Sequence, residues 1–201
     1  MKLAHIIAII VVILIGGIYA VVRHRKEQKE QKELDELKNN PESLHNAIRD
    51  GDEKLVRSLL KHNDIEINKT DKDGDTPLHQ ACRKGFENIV KALLKHKDIQ
   101  INKVDNNGWT PLYNACMEGH EGVVKLLLKH KDIQINKADN EGDIPLYTAC
   151  TYGHEGVVRV LLEHKDIEIN KVDKDGNTPL RLAKRNNYSE IVRLLEAKGA
   201  K

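Results

Sequence analysis

The sequence predicts an all-α repeat solenoid preceded by one transmembrane helix and a charged helical stalk. Three observations support this fold class. Residues 3–22 contain no formally charged side chain. Residues 23–40 are rich in charged helix formers. From residue 71 onward, the same pattern of residues returns every 34 positions, which is typical of repeat proteins.

The composition argues against nucleic acid as a partner. The 201 residues include 33 Lys and Arg and 31 Asp and Glu, for a net charge of +2. Residues 1–40 hold 7 of the basic and 5 of the acidic side chains, so 26 of each remain for residues 41–201. A formally neutral domain has no strong field to attract DNA or RNA. We therefore expect no nucleic-acid partner.

The cysteines indicate a reducing compartment. The chain has three, Cys82, Cys116 and Cys150, and they are spaced by the repeat period. An odd and regularly spaced set is not a disulfide framework.

Residues 3–22 are predicted to be a transmembrane anchor. A helix of that length spans ~30 Å, the thickness of the hydrocarbon core of a bilayer. One alternative is a cleaved signal peptide, with an apolar region of ~7–15 residues and a small-x-small cleavage site. Ala20 is the natural small residue, but Ile18 stands two positions before it. The other alternative is a buried helix of a globular domain.

The charges beside this segment predict its orientation. Only Lys2 and the terminal amine precede it, whereas the residues that follow include Arg23, Arg25, Lys26, Lys29 and Lys32. Because positive charge is retained on the cytoplasmic side, the bulk of the chain is expected to face the cytoplasm. In residues 23–40, opposite charges lie four positions apart, as in Lys26 and Glu30, which favours a solvated helix.

Each repeat predicts two helices. The pattern Asp-x-x-Gly-x-Thr-Pro-Leu begins at Asp71, Asp105 and Asp173, and at Asp139 with Ile144 in place of Thr. The Thr hydroxyl can cap a helix that starts at Pro. A Gly nine residues after the Thr position, such as Gly85, ends that helix in a left-handed conformation. A second helix follows, with apolar residues three and four positions apart.

These residues resemble the ankyrin repeat, whose pattern is D-x-x-G-x-T-P-L-x-x-A-x-x-x-G followed by a V-V-x-x-L-L helix. The resemblance implies stacked helix-turn-helix units with short β-hairpin-like fingers. It also implies non-enzymatic binding of a protein partner. We predict a transmembrane anchor at 1–22, a stalk at 23–40 and a repeat domain at 41–201. The five repeats are expected at 41–70, 71–104, 105–138, 139–172 and 173–201.

Several positions depart from the family pattern. The period is one residue longer than usual, and the excess falls in the stretch Lys-Asp-Ile-x-Ile-Asn, so the connection to the next finger should be enlarged. Ile144 replaces a capping Thr, which should cost its helix ~1 kcal/mol. Asn187 stands in place of Gly, and Glu42-Ser43 stands in place of Thr-Pro in the first repeat.

No cofactor, metal site or small-molecule substrate is predicted. Cysteines at one repeat position lie ~10 Å apart in a stack, whereas zinc holds each ligand at ~2.0–2.3 Å. The same objection applies to His62, His96, His130 and His164. A Cys116–His120 pair lacks a third orienting group. An enzyme is therefore the least favoured hypothesis, and an activity abolished by substitution of Cys116 would support it.

The resemblance places the binding surface at the finger tips and on the concave face of the first helices. Aromatic residues, Met and Arg are enriched at the centres of interfaces. In one alternative, Tyr113 and Tyr147 only replace the usual His at the start of the first helix and pack locally. The predicted contact residues are Arg83, Lys84, Asn106, Asn107, Trp109, Tyr113, Met117, Asp143, Tyr147 and Tyr152.

The sequence thus predicts a membrane-anchored scaffold that binds a protein partner on the cytoplasmic side. The alternative is a secreted repeat protein with a cleaved signal peptide. The mature amino terminus distinguishes them: an intact Met1 or Lys2 supports the anchor, and a start near Val21 supports export.

Overall fold

The computed structural model describes residues 2–38, 40, 42–62 and 64–201, without the side chains of residues 2–16, 34 and 38. The chain divides into two compact units, Met1–Pro41 and Glu42–Lys201. We describe each unit by itself.

The first unit is built around one helix, α1 (Lys2–Lys38), which includes residues 23–38 of the predicted stalk. Ion pairs four residues apart lie along it: Arg23 with Glu27 at 2.8 Å, and Lys26 with Glu30 at 3.7 Å. Such exposed pairs stabilise a helix by only ~0.3–0.5 kcal/mol each.

The membrane anchor is not supported by the part of the chain that the structure describes. No helix in that part is both long enough and apolar enough to cross a bilayer. Most of the predicted span, residues 3–16, has side chains outside the described residues. In the remainder, the large apolar side chains are exposed: Ile18, Tyr19, Val21 and Val22.

The second unit is a row of helix pairs, in agreement with the predicted solenoid. The first helices of the pairs are α2 (Ser43–Arg49), α4 (Pro77–Lys84), α6 (Pro111–Met117), α8 (Pro145–Tyr152) and α10 (Pro179–Arg185). The second helices are α3 (Glu53–Leu59), α5 (Glu87–Leu93), α7 (Glu121–Leu127), α9 (Glu155–Leu162) and α11 (Ser189–Ala197).

The fingers between pairs are turns. The expectation of hairpin-like fingers holds only in outline, since no strand forms among the described residues. The first finger is closed by two backbone hydrogen bonds, from Asp71 N–H to the Asp75 carbonyl at 3.0 Å and from Gly74 N–H to the Asp71 carbonyl at 3.1 Å. A single closing pair is too short to count as a ladder.

The first helices begin as predicted. The hydroxyl of Thr110 accepts the N–H of Tyr113 at 3.1 Å, and Thr76 and Thr178 cap their helices in the same way. Ile144 makes no side-chain cap. It is 1% exposed, so burial of its apolar side chain offsets the missing hydrogen bond.

The first helices also end as predicted. Gly85, Gly119 and Gly153 have φ of 73°, 75° and 76°, and Asn187 takes the same conformation with φ 60°. Gly85 is also required for a steric reason. The ring of His120 from the next repeat would lie 2.6 Å from a Cβ at position 85.

The enlarged connection forms an asparagine ladder, which we define as Asn68, Asn102 and Asn136. Each side chain reaches the next repeat. Asn102 donates from Nδ2 to the Asp132 carbonyl at 2.6 Å and accepts the Gln134 N–H at 2.9 Å. Asn68 and Asn136 make the equivalent bonds. The extra residue of the period therefore lies in a segment that links neighbouring repeats.

Replacing Asn102 with Ala should lower the free energy of unfolding by ~1–3 kcal/mol, because two hydrogen bonds between repeats are lost at ~0.5–1.5 kcal/mol each. The matched control is Asn170→Ala. Asn170 lies at the same repeat position but accepts only the Lys201 N–H at 2.8 Å, so a smaller loss is expected. Urea denaturation followed by circular dichroism measures both. Equal losses would mean that the ladder adds nothing to stacking.

Candidate functional site

Each finger holds the residue before the capping position in a fixed place. In the third finger, Oδ1 of Asp139 accepts the N–H groups of Glu141 and Asp143, both at 2.9 Å. Asp71, Asp105 and Asp173 fold their fingers in the same way. The residue directly before each capping position is thereby fixed. These residues form what we call the finger row: Asp75, Trp109, Asp143 and Asn177.

A second row lies beside it, in or next to the last turn of each first helix. We call it the helix row, and its residues are Arg83, Met117, Thr151 and Arg185. The two rows meet in the repeat at 71–104, where the guanidinium of Arg83 binds both carboxylate oxygens of Asp75 at 2.6 and 2.9 Å. Together the two rows are called the recognition face below.

Arg83 was predicted to contact a partner, and the structure shows it already engaged. The Asp75 carboxylate that it binds is almost fully buried, with 4% of its side chain exposed, whereas 34% of the Arg83 side chain is exposed. Bidentate pairs of this kind are well oriented and hold both side chains in place.

Trp109 is held by its neighbours and is half-buried. Its ring stacks on that of Tyr113, with centroids 5.3 Å apart and planes 10° apart. Its Nε1–H donates to Oδ2 of Asp139 at 3.1 Å. A large aromatic side chain that is partly accessible and already ordered loses little entropy on binding.

The two predicted tyrosines lie beneath this surface. Tyr113 is 6% exposed and Tyr147 is 8% exposed. The hydroxyl of Tyr147 donates to Asp173 in the next finger. This placement agrees with the alternative of local packing, and it leaves Trp109 as the accessible aromatic group of the recognition face.

The other predicted contact residues are spread over the surface. Met117 and Asp143 are half-buried, and Asn106, Asn107 and Lys84 are exposed. Asn106 is joined to the preceding finger, since its N–H donates to the Asp73 carbonyl at 3.2 Å. Tyr152 is 56% exposed and stacks on His154 with ring centroids 6.3 Å apart.

His79, buried near the start of α4, supports the finger row. Its Nδ1 accepts the Thr76 N–H at 3.0 Å, so Nε2 carries the proton and donates to the Trp109 carbonyl at 3.0 Å. Burial lowers the pKa of His79, which favours the neutral ring that this arrangement needs. His79 therefore positions the backbone of Trp109 from the preceding repeat.

Asp143 is an unbalanced charge of the recognition face, and it is half-buried. No hydrogen bond or ion pair joins its carboxylate to another residue that the structure describes. Burial and nearby carboxylates raise its pKa to about 6. The repeat-equivalent Asp75 differs because Arg83 neutralises it, whereas Thr151 stands at that position in the repeat of Asp143. The carboxylates that raise the pKa are those of Asp139, Asp173, Glu141 and Asp175.

Replacing Asp143 with Asn should stabilise the fold at pH 7 and not at pH 3.5. A carboxyl whose pKa is higher in the folded state than in the unfolded chain destabilises the fold fully above its folded pKa of about 6. The effect disappears below its ordinary pKa of ~3.9. Thermal unfolding of both proteins across this range measures the difference, and Asp175→Asn is the exposed control. A pH-independent difference would contradict the shift.

The Cys and His residues of the described part of the chain are the candidate metal ligands and nucleophiles. No group of three or more His, Cys, Asp or Glu residues in that part could hold a metal ion. Cys82, Cys116 and Cys150 are fully buried, and burial raises the pKa of all three thiols. His120 is engaged elsewhere, since its Nε2 bonds to the Arg83 carbonyl at 3.0 Å.

Stacked helix pairs with ordered finger turns define a helical-repeat solenoid, a class of protein that presents one extended surface. A family model described as Ankyrin repeats (3 copies) matches residues 44–139 and 132–201. The chain belongs to the ankyrin repeat family, whose members are typically non-catalytic protein-interaction scaffolds. A search of curated proteins finds no match.

Proposed function

We propose that this protein is a membrane-anchored scaffold that binds a protein partner through its recognition face. The observation that carries the proposal is Trp109, the only Trp of the chain. It is half-buried, so part of its ring stays accessible, and it is fixed by Tyr113 and Asp139. Trp is among the residues that contribute most to binding energy at protein interfaces.

A photo-crosslinking residue in place of Asn107 tests this proposal. Asn107 is exposed and lies in the same finger as Trp109. The full chain is expressed in its host cell and irradiated, and covalent adducts are identified by mass spectrometry. The matched control replaces Lys125, which is exposed on the second helix α7. We expect a protein adduct at position 107 and none at 125. No adduct at 107, or the same adduct at both positions, would rule out the recognition face.

Replacing Trp109 with Ala should reduce the yield of that adduct at least tenfold, as expected for an anchor worth ~2 kcal/mol or more. The substitution also removes the stack on Tyr113, so thermal unfolding is measured in parallel and crosslinking is done where both proteins are folded. Lys91→Ala is the control, because Lys91 is exposed on the second helix α5 outside the two rows. An unchanged yield for Trp109→Ala would remove Trp109 from the proposed interface.

The anchor and its orientation are supported by the uncharged stretch 3–22 and by the basic residues after it. The test is protease protection of the full chain, tagged at Lys201, in sealed vesicles with the cytoplasmic face outward. A digested tag with a membrane-bound remainder is expected. A protected tag would reverse the orientation. A soluble chain whose amino terminus lies near Val21 would favour a secreted repeat protein instead.

A further inference from the structure

Two repeats treat the same acidic position in different ways. In the repeat at 71–104, the finger row presents Asp75, and the helix row supplies Arg83 as its counter-ion at 2.6 and 2.9 Å. In the repeat at 139–172, the finger row presents Asp143, and the helix row supplies Thr151. The hydroxyl of Thr151 donates to the Tyr147 carbonyl at 3.0 Å, so it is turned to its own helix. The repeat at 139–172 therefore keeps the aspartate but has no arginine to neutralise it.

The two half-buried carboxylates beside Asp143 are already hydrogen-bonded. Asp139 accepts two backbone N–H groups and the indole N–H of Trp109. Asp173 accepts two backbone N–H groups, the side-chain amide of Asn177 and the hydroxyl of Tyr147. Of the three half-buried carboxylates in this cluster, Asp139, Asp143 and Asp173, Asp143 alone has both oxygens without a partner among the described residues. Asp143 is therefore the half-buried carboxylate of this cluster that remains available to a ligand.

This arrangement favours a guanidinium over a metal ion. A calcium ion takes 6–8 oxygen ligands, and the bonds just described occupy Asp139 and Asp173. A guanidinium needs only one carboxylate, which it meets with two parallel N–H bonds. Arg83 and Asp75 show that the finger row and the helix row accommodate that geometry.

We propose that Asp143 binds an arginine side chain of the partner protein, in the way that Asp75 binds Arg83. The inference rests on the proposed function and specifies the chemistry of the partner. Trp109 stands one repeat away along the finger row, ~10 Å at the usual helix spacing. An extended chain covers that distance in about three residues. The partner segment therefore carries an arginine and, three residues away, an apolar side chain for Trp109.

The first test uses random dodecapeptides displayed on phage and the immobilised full chain. Selection on the unaltered protein should enrich peptides with an arginine three residues from an apolar residue. Selection on Asp143→Asn, and separately on Thr151→Arg, should lose the arginine, since the second variant supplies the guanidinium internally. No arginine enrichment, or the same enrichment on both variants, would overturn the proposal.

The second test uses a selected peptide and the fluorescence of Trp109, which as the only Trp reports on the site directly. Replacing the peptide's arginine with citrulline, which is uncharged and similar in shape, should weaken binding about tenfold to a hundredfold, as should Asp143→Asn. Lys125→Ala, on the second helix α7, is the control and should leave binding unchanged. Equal binding of the citrulline peptide would overturn the proposal. So would a calcium-induced fluorescence change that Asp143→Asn abolishes.

The two proposals fail in different ways. If the Asn107 crosslink forms and Trp109→Ala reduces it, but Asp143→Asn and Thr151→Arg leave it unchanged, the recognition face binds a partner without the arginine contact. If no crosslink forms at Asn107, the proposed function itself is wrong. Circular dichroism of each variant establishes that its repeats are folded before either conclusion is drawn.

Discussion

Alanine at Gly74 should lower the free energy of unfolding by ~2–5 kcal/mol. Gly74 has φ +82°, and a Cβ there would lie 2.6 Å from Oδ1 and 2.7 Å from the backbone nitrogen of Asn106. The left-handed conformation costs a residue with a side chain ~1–2 kcal/mol. The clash adds ~1–3 kcal/mol, because a backbone atom of the next finger has to move.

The same finger position provides its own controls. Gly142 has φ +91°, and its nearest neighbour would be the backbone nitrogen of Lys174 at 3.4 Å, while Gly176 has φ +75° and no atom within 4 Å. Gly176→Ala should therefore lose only the conformational ~1–2 kcal/mol, and Gly142→Ala should lie between the other two. Urea denaturation measures the series. Three equal losses would mean that adjacent fingers are not in close contact.

The parts of the fold that the sequence predicted are those decided within a few residues. A Thr before a Pro caps a helix with its own neighbours, and a position that needs φ > 0 selects Gly, or Asn as at Asn187. The start at Pro111 and the left-handed Gly119 therefore followed from the sequence. Repetition in register added the stacking, because one helix pair cannot bury its own apolar face.

The parts that the sequence did not predict depend on contacts between repeats. The bonds of Asn102 reach residues 30 and 32 positions further along the chain, and their partners are backbone atoms with no sequence signature. From the sequence, only the extra residue of the 34-residue period indicated that the connection containing Asn102 is unusual. The hydroxyl of Tyr147 likewise donates to Asp173 of the next finger, a contact between repeats that residue type alone does not predict.

The candidate site shows the same division. Trp109 was predicted from residue type, but its rigidity comes from Tyr113 on the helix that follows it, α6, and from Asp139 in the next finger. Arg83 was predicted as a contact residue because Arg is common at interfaces, yet it forms an internal ion pair with Asp75, eight positions earlier in the chain. Comparing this pair with Asp143 and Thr151 required the structure, since only the structure shows that the two rows touch.

Replacing Asn114 with Leu should raise the free energy of unfolding by ~1–2 kcal/mol. Asn114 is 0% exposed, and neither its Nδ2 nor its Oδ1 has a hydrogen-bond partner among the described residues. A buried polar group without a partner costs ~1–3 kcal/mol, and a leucine adds apolar burial. The same repeat position holds Leu182, which is 1% exposed, so the stack accommodates that side chain. The larger volume of leucine reduces this gain in stability.

Thr148→Leu is the matched control, because Thr148 lies at the same position and is 2% exposed. Burial raises the pKa of Tyr113 and the Thr148 side chain lowers it, so Thr148 is a polar neighbour of the Tyr113 hydroxyl. Leucine there removes that polar neighbour and should not stabilise the fold. Thermal and urea unfolding measure both variants. A gain for Asn114 alone would show that an unpartnered amide, and not polarity at this position, limits stability. A loss of stability for Asn114→Leu would show that the amide forms hydrogen bonds in solution. The first helices of the pairs would then be joined by a polar contact as well as by apolar packing.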